Sequence, residues 1–298
     1  MKRAFIILNP AAGRGRGFGL ELPLAETARR LGWETVVRFT RRAGDEIDLA
    51  AEAREAGWPV VVAAGGDGTV HGTVNGLLAD GPTSVTLAHV PIGSGNDYAR
   101  ALNLKAGPVA RNLARALQGR RHLHDVGRVE HEYFVNGMGV GFDAEVVRHT
   151  LRMSHLSGFP MYLAAVYRTF GSFDPPDLEI EAAEHQERGR VMMLNVSIGP
   201  TQGGGFKIAP GARPDDGLFH VCVIRRVGFR RFLRYVPSVV AGRHTGLPEV
   251  TVFPTTRVRV TGLSGPLALQ LDGELRYPKH DTVEVTLLPR YLHVLCAA

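Results

Sequence analysis

The hydrophobic pattern of this chain changes character part-way along. Over roughly the first 105 residues, short apolar runs alternate with amphipathic stretches of helical period. Ala4–Leu8, Thr35–Phe39, Val60–Ala64 and Val85–Val90 are brief, rich in Val, Ile, Phe or Thr, and closed by turn residues, which predicts strands. Asp45-Glu46-Ile47-Asp48 opens a helix with Asp45 as the N-cap candidate, and Gly57 closes it in the left-handed position. Val70, Val74, Leu77 and Leu78 lay an apolar stripe along another helix. Strands separated by crossover helices predict a parallel sheet with right-handed connections, and ligands of such sheets gather at the carboxyl ends of the strands.

Beyond about residue 125 the pattern becomes short alternating segments: Tyr133–Asn136, Val191–Ile198, Phe219–Ile224, Val258–Thr261, Leu267–Leu271, Val283–Leu288 and Tyr291–Leu295. These favour an antiparallel sheet or sandwich, interrupted by helical segments at about 145–170 and 228–241. The expected fold is therefore an α/β domain with a parallel sheet over 1–127, followed by a mainly antiparallel β domain over 128–288. The last residues, about 289–298, are expected to pack back on the first domain. A length of 298 residues agrees with two domains.

At 44% hydrophobic and 21% charged, the composition excludes a disordered or fibrous chain. Met1-Lys2-Arg3 followed by only five apolar residues is too short for a secretory signal, and no run reaches the eighteen apolar residues a membrane-spanning helix needs. Cys222 and Cys296 offer neither a disulfide framework nor a zinc site, so a reducing cytoplasm is the expected location. The net charge of +6 becomes informative once located. Arg225, Arg226, Arg230, Arg231, Arg234 and Arg243 share one segment, no acid occurs between Asp216 and Glu249, and none occurs between Glu145 and Asp174. Such an excess points to an anionic partner, a phospholipid surface or nucleic acid; the plainer alternative is a solvated arginine face.

Three of the four predicted strand ends in the first half carry similar turns: Asn9-Pro10-Ala11-Ala12-Gly13-Arg14-Gly15-Arg16-Gly17, Gly65-Gly66-Asp67-Gly68-Thr69, and Pro91-Ile92-Gly93-Ser94-Gly95-Asn96-Asp97. Glycines let backbone N–H groups approach phosphate oxygens, a following helix start adds partial positive charge, and Arg14 and Arg16 can add fixed charge. One such loop is weak support for a phosphate site; three at one sheet edge carry weight. Asp67 has the alternative of capping the helix that follows it. The Walker sequence, the Gly-x-Ser-x-Gly elbow and HExxH do not occur. Gly139-Val140-Gly141-Phe142-Asp143-Ala144 matches the dinucleotide fingerprint in spelling, but it lies in the antiparallel half without a βαβ unit. His122 and His124 read as structural rather than metal-binding.

"NPAAGRG", "GGDGTVHGTVNGL", "PIGSGNDYARAL", "GGGFKIAPGARPDDGLFHV" and "LDGE" occur in an order and spacing that resembles the bacterial diacylglycerol kinase and sphingosine kinase-like lipid kinases, relatives of NAD kinase and phosphofructokinase. The resemblance runs nearly end to end and implies a two-domain fold of that type, with ATP in the cleft between the domains and Mg²⁺ as cofactor. It implies nucleotide contacts at Asn9, Pro10, Ala11, Ala12, Gly13 and Thr40, at Gly65, Gly66, Asp67, Gly68, Thr69, Val70 and His71, and at Ser94, Gly95, Asn96 and Asp97. Asp67 would act through the catalytic Mg²⁺, Asp125 would belong to the same network, and Asp272 and Glu274 would include the general base. "DGE" by itself is also an ordinary tight turn between strands. A second, structural Mg²⁺ is implied at Asp216 with the backbone oxygens of Arg213 and Leu218. The chain departs from the family pattern at Ser94, where Thr is commoner and the hydroxyl is kept, and at Ala12, where Ser or Thr is frequent.

Phosphoryl transfer needs a metal across the terminal phosphates, donors to hold them and an acid residue to take the proton of the attacking hydroxyl, and this set of residues supplies all three. The expected activity is ATP-dependent phosphorylation of a lipid hydroxyl, diacylglycerol or a related lipid. Expected partners are that lipid and an anionic membrane surface met peripherally through Arg225–Arg243, with Met161–Val166 and Phe170 lining an acyl pocket. A homodimer is a further expectation, and no nucleic acid is expected. Two rival readings are an NAD kinase-like enzyme with a soluble acceptor and a non-catalytic lipid- or nucleic-acid-binding protein.

Overall fold

A computed structural model describes residues 2–104, 107–153, 156, 158–265 and 267–297. The chain divides into two compact units, residues 1–124 with 290–298, and residues 125–289.

The first unit runs β1 (Lys2–Leu8), α1 (Ala12–Gly15), α2 (Glu21–Arg30), β2 (Trp33–Phe39), α3 (Asp45–Glu55), β3 (Val60–Gly65), α4 (Asp67–Leu77), β4 (Thr86–Pro91), α5 (Asp97–Ala101) and α6 (Val109–Leu117), and then enters β5 (Arg120–Val129). The strands are parallel in the order β2-β1-β3-β4, with Ala4 in register with both Thr35 and Val60, and Val60 with Thr86. The chain's end joins this sheet, His293 and Val294 pairing in parallel with Thr86 and Leu87. Ile6, Val62 and Ala88 meet Leu24 and Ala28 of α2 and Leu113 and Ala116 of α6 on one face. Both faces of β3 are buried, which is why it reads as an unbroken apolar run. Strand order reverses at β1, so the loops leaving β1 and β3 open on the crevice where sheets of this kind bind ligands.

Helices α3 and α4 pack together closely enough that a β-carbon on Gly76 would stand 2.1 Å from the Ile47 carbonyl oxygen, and one on Gly72 2.1 Å from Glu46 Cγ. The later glycines of GGDGTVHGTVNGL thus serve helix packing, and only its first few serve the loop. Asp45 is not the N-cap of α3. Gly44 holds that place at φ +96°, and the Asp45 carboxylate instead accepts the N–H groups of Arg41 (2.7 Å) and Arg42 (3.1 Å). Those two amides, the Arg41 one foremost, hold its carboxyl below the usual range.

The second unit continues with β6 (Glu132–Phe134), β7 (Gly137–Gly141), α7 (Phe142–Thr150), α8 (Gly158–Phe170), β8 (Asp177–Ala182), β9 (His185–Ser197), β10 (Phe219–Arg225), α9 (Phe229–Ala241), a 3-10 turn (His244–Gly246), β11 (Val250–Thr255), β12 (Arg257–Gly262), β13 (Leu269–Leu271), β14 (Glu274–Arg276) and β15 (Thr282–Cys296). It is an antiparallel sandwich. One sheet runs β14-β13-β7-β9-β10-β11, and the first half of β9 turns into a second sheet with β8, β12 and the start of β15. Phe134, Leu194, Val221, Val223, Val258 and Val283 fill the space between them. The alternate residues Met193, Cys222 and Ile224 point to the other face and are covered by Phe142 of α7, Ala165 of α8 and Phe232, Tyr235 and Val236 of α9.

Three expectations change here. The helical segment of about 145–170 is two helices, α7 and α8, and residues 154, 155 and 157 between them lie outside the described ones. The candidate strands at 283–288 and 291–295 are one strand, β15, which passes Arg290 at φ +52°. The sequence reading lacked β5, β7, β8, β11 and β14; in β8 acidic residues alternate with Leu178 and Ile180, both fully buried. The GVGFDA segment does join a strand to a helix, β7 to α7, but the neighbours of β7 are antiparallel, so no βαβ unit forms.

Candidate active site

In the first unit the three glycine-rich loops interlock. Asn9 ties the first to the second: its Nδ2 donates to Thr69 Oγ1 (3.1 Å) and its backbone N–H to the Ala64 carbonyl (3.0 Å), while its Oδ1 accepts the Ala11 N–H (3.0 Å). Gly13 and Arg14 take left-handed conformations, φ +59° and +65°, so α1 is a turn rather than a helix. The second and third loops cross backbone to backbone. A β-carbon on Gly93 would stand 2.4 Å from Gly66 Cα, a distance no side chain tolerates. Thr40, at the end of β2 and nearly buried, donates its N–H to the Leu8 carbonyl (3.0 Å) beside the first loop.

Asp67 opens α4 rather than capping it, since Gly66 is the N-cap and no side chain caps the helix. Its Oδ1 accepts the N–H of Tyr98 in α5 (3.2 Å). Its Oδ2 would lie 2.7 Å from a β-carbon on Gly95, and Asp97 Oδ2 3.6 Å from the same point, so two carboxylates converge on that glycine. Arg100 offsets part of this charge through Nη1 to Asp97 Oδ1 (2.8 Å). The first-turn amides of Gly68 and Thr69 have no acceptor within their helix. Val70 and His71 are different: both side chains are buried, and the Val70 N–H already donates to the Gly66 carbonyl. Ala12 is packed in the apolar core, where a Ser or Thr hydroxyl would be buried. Ser94 and Asn96 are half-buried, and Asn96, at φ +52°, donates Nδ2 to the Gly93 carbonyl (2.7 Å).

Beneath the second loop lies His89, fully buried, with Nε2 3.4 Å from the Gly65 carbonyl oxygen. Burial lowers its pKa to about 4, against a smaller opposing pull from that carbonyl, so the imidazole stays neutral. Tyr98 stacks against it and reaches His124 Nδ1 (3.2 Å), whose other nitrogen meets Cys296 Sγ (3.3 Å). His124 is thus a core residue, and His122 is exposed on the same strand.

In the second unit, Asp272 and Gly273 are the two positive-φ residues (+50° and +92°) of a tight hairpin turn between β13 and β14. The turn reading of "DGE" is therefore met. The Asp272 carboxylate is drawn inward and accepts the N–H groups of Val135 (2.9 Å), Asn136 (2.8 Å) and Gly137 (3.0 Å). Glu274, two residues on, is exposed. Asp125 is fully buried, accepts the Gly217 N–H (2.7 Å) and donates its own N–H to the Pro214 carbonyl (2.7 Å), which clamps the Pro214–Leu218 loop. In that loop Asp216 receives the Leu218 N–H on Oδ1 (3.1 Å) and lies 2.9 Å from His220 Nε2 through Oδ2, while Arg213 offers its carbonyl to the Asp216 N–H (3.5 Å). Both oxygens of the acid are engaged by protein groups. Each oxygen keeps a further lone pair, so the loop leaves room for the Mg²⁺ contacts expected of Asp216 and of the Arg213 and Leu218 carbonyls.

Behind α7, α8 and α9 lies an apolar cavity of about 90 Å³, bordered by Tyr162, Val166, Met192, Phe206, Phe232 and Val236. Of the residues expected around an acyl pocket, Tyr162 and Val166 border it, and Met161 and Phe170 do not. On α9, Phe232, Tyr235 and Val236 face inward, while Phe229, Arg230, Leu233 and Arg234 are exposed. Arg225 and Arg231 are paired with Glu187 and Glu249. No acid pairs with Arg226, Arg230, Arg234 or Arg243 among the described residues.

Comparison with known proteins settles the class. A family model described as the diacylglycerol kinase catalytic domain matches residues 3–129, and one described as the YegS C-terminal NAD kinase beta sandwich-like domain matches residues 136–296. The diacylglycerol kinase of Bacillus subtilis (strain 168) is 30% identical over 296 residues, 99% of this chain and 96% of its own. The chain belongs to the diacylglycerol kinase family. That of Staphylococcus aureus (strain bovine RF122 / ET3-1) is 28% identical over 92% of this chain and 86% of its own. A crystal structure of a diacylglycerol kinase from Bacillus anthracis str. Sterne shares the fold, with a TM-score of 0.75 at 19% identity over 99% of this chain and 96% of that one. Family membership makes the chain a kinase of the lipid-kinase class, with the parallel and antiparallel units expected of it. Among the described residues no helix is long and apolar enough to cross a membrane.

The residues that sequence reasoning left out are Arg100, which anchors the third loop, and His89 and Tyr98, which support the loops; Arg16 was read as a charge but not as a tie between the first and third loops. Arg100 had a signal in its spacing of three from Asp97 on a short helix. His89 had none, since a histidine inside an apolar strand gives no sign of what lies above it.

Proposed function

We propose that this protein transfers the γ-phosphate of ATP to the hydroxyl of diacylglycerol or a closely related lipid. The observation that carries the reading is the convergence of Asp67 and Asp97 on Gly95, at a loop crossing that only glycines permit. Two carboxylate oxygens at one point suit a hard divalent cation, and Asp67 and Asp97 are the residues that would hold Mg²⁺. A cation held there would neutralise phosphate charge during transfer. The first-turn amides of α4 and the backbone of the first and third loops bind and orient the phosphates.

Glu274 is the better candidate for general base. Asp272 accepts three backbone amides, which leaves its lone pairs little room for a substrate hydroxyl, whereas Glu274 is exposed and can take a proton. Asp272 acts by holding the turn that presents Glu274. The cavity behind α8 and α9 would receive part of one acyl chain, and its methionines and aromatic side chains can adjust to it. The exposed face of α9, with Phe229 and Leu233 next to Arg230 and Arg234 in sequence, suits adsorption to an anionic lipid surface.

The test is incubation of the purified protein with labelled ATP, Mg²⁺ and total lipid extract, followed by identification of the labelled species. A labelled phosphate monoester of a diacylglycerol is expected. Label confined to a soluble acceptor would replace this reading with the NAD kinase-like one.

A further inference from the structure

Gly139 opens the segment that spells a dinucleotide fingerprint, and its missing side chain has another use. On the sheet it lies in register with Gln270 of β13 on one side and Asn195 of β9 on the other. A β-carbon on Gly139 would stand 1.9 Å from Asp143 Oδ2, and one on Gly137 2.0 Å from Gln202 Nε2, so the bare strand leaves a slot that those two side chains fill. There four side chains close a ring of hydrogen bonds. Gln270 Nε2 donates to Asp143 Oδ2 (2.9 Å) and Gln202 Oε1 (3.2 Å), and Asn195 Nδ2 donates to the same two oxygens (3.3 Å and 2.8 Å). Gln270, Asn195 and Gln202 are buried. The orientation of the Gln270 amide is forced: the Gly273 N–H can only donate, so Oε1 accepts it (2.6 Å) and both amide hydrogens turn to the ring.

The ring joins two features of the second unit. Asp143 and Gln202 border the apolar cavity behind α7, α8 and α9, and Gly273, at φ +92°, immediately precedes Glu274 in the turn. In a buried polar network of this kind, moving one member leaves its partners unsatisfied, so the members shift together. We infer that Gln270 is a positioning residue through which filling of the cavity sets the turn that presents Glu274. A hydrocarbon chain in the cavity restricts Asp143 and Gln202, and the restriction reaches the Gly273 N–H through one amide. The inference rests on the lipid-kinase reading for what fills the cavity and for the role of Glu274.

The experiment reads hydrogen exchange across the β13–β14 turn of the full chain, without ATP, in detergent micelles with and without dioleoylglycerol. Slowing of about fivefold or more is expected in the wild type and none in Gln270→Met, whose side chain keeps its length and loses the hydrogen bonds. Unchanged exchange in the wild type overturns the proposal, as does equal slowing in a folded Gln270→Met. Turnover gives a second reading. At saturation the wild-type kcat should be about fivefold or more higher with dioleoylglycerol than with diacetylglycerol, whose acyl groups bring almost no hydrocarbon to the cavity. In Gln270→Met that preference should vanish from kcat while KM for dioleoylglycerol is unchanged; a variant that keeps the preference, or loses it through KM alone, overturns the proposal. Should thermal melting show that Gln270→Met does not fold, the wild-type exchange decides alone. Slowed exchange without lipid phosphorylation would remove the kinase reading and leave the coupling standing; phosphorylation with unchanged exchange would do the reverse.

Discussion

Replacing Gly93 with alanine tests the loop crossing directly. The new β-carbon would stand 2.4 Å from Gly66 Cα, 2.9 Å from Asn96 Oδ1 and 3.3 Å from Gly66 N. Non-bonded carbons prefer about 3.5–4.0 Å, so the second and third loops must part by more than about 1 Å. The backbone of Gly93 donates to the Gly65 carbonyl and accepts from Arg16 and Asn96, so the displacement is carried into both neighbouring loops. Overpacking of this kind costs about 1–3 kcal/mol, and a misplacement of about 1 Å at reacting groups costs about 100-fold in rate. The expected result is a modest fall in melting temperature with a fall in kcat/KM of about two orders of magnitude. Gly66→Ala, whose β-carbon would meet Gly93 Cα at 3.1 Å, should be milder; Gly211→Ala, with nothing within 4 Å, should be silent in both assays. Lipid phosphorylation in mixed micelles, read with thermal melting, decides the matter. If Gly93→Ala keeps more than a third of wild-type kcat/KM, the crossing does not hold the phosphate-binding geometry.

Other expectations follow from the same structure. Asp67→Asn should abolish Mg²⁺-dependent turnover while the fold survives, and an active variant would remove its assigned role. Glu274→Gln should lower kcat by about 100-fold or more with little change in melting temperature, whereas Asp272→Asn, which weakens bonds to three buried amides, should destabilise by roughly 3 kcal/mol. The opposite pattern would exchange their roles. His89 is neutral in the fold down to about pH 4 but protonates near 6.5 when unfolded, so stability falls as pH drops through that window and levels off below it. That contribution is about 3 kcal/mol in full; denaturant midpoints at pH 7 and 4.5 should show the wild type losing about 2–3 kcal/mol more than His89→Gln, and equal losses would contradict it. Replacing Arg226, Arg230 and Arg234 by Gln should weaken binding to anionic vesicles by about 3 kcal/mol at low salt, and sedimentation unchanged from wild type would return α9 to a purely structural role.

The parallel half of the fold was legible because its inner strands β3 and β4 are buried on both faces while helices such as α2 and α6 bury only one, so the period of the sequence changes with the structure. Most turns were legible because glycine or asparagine occupies the positive-φ position, whereas Arg14, Glu130, Asp272 and Arg290 take it without that signal. Less could be read in the second half. In β8 only Leu178 and Ile180 are inward, too few to separate a strand from a polar connection. The function of each acid was not legible at all. Asp45, Asp67, Asp125 and Asp272 look alike as letters, yet one bonds the loop before its helix, one reaches the next helix, one clamps a distant loop and one holds three amides far back along the chain.

Neighbouring residues and their spacing decided the strands, helices and turns, because propensity and alternation act over a few residues. Which oxygen of a carboxylate is taken, and whether a guanidinium meets a carbonyl or an acid, was decided only by folding. Arg16 finds the Ile92 carbonyl 76 residues away, and Asp272 finds the Asn136 amide at a separation of 136. At such distances the order of the residues carries no record of who will meet whom, and the meeting sets the chemistry.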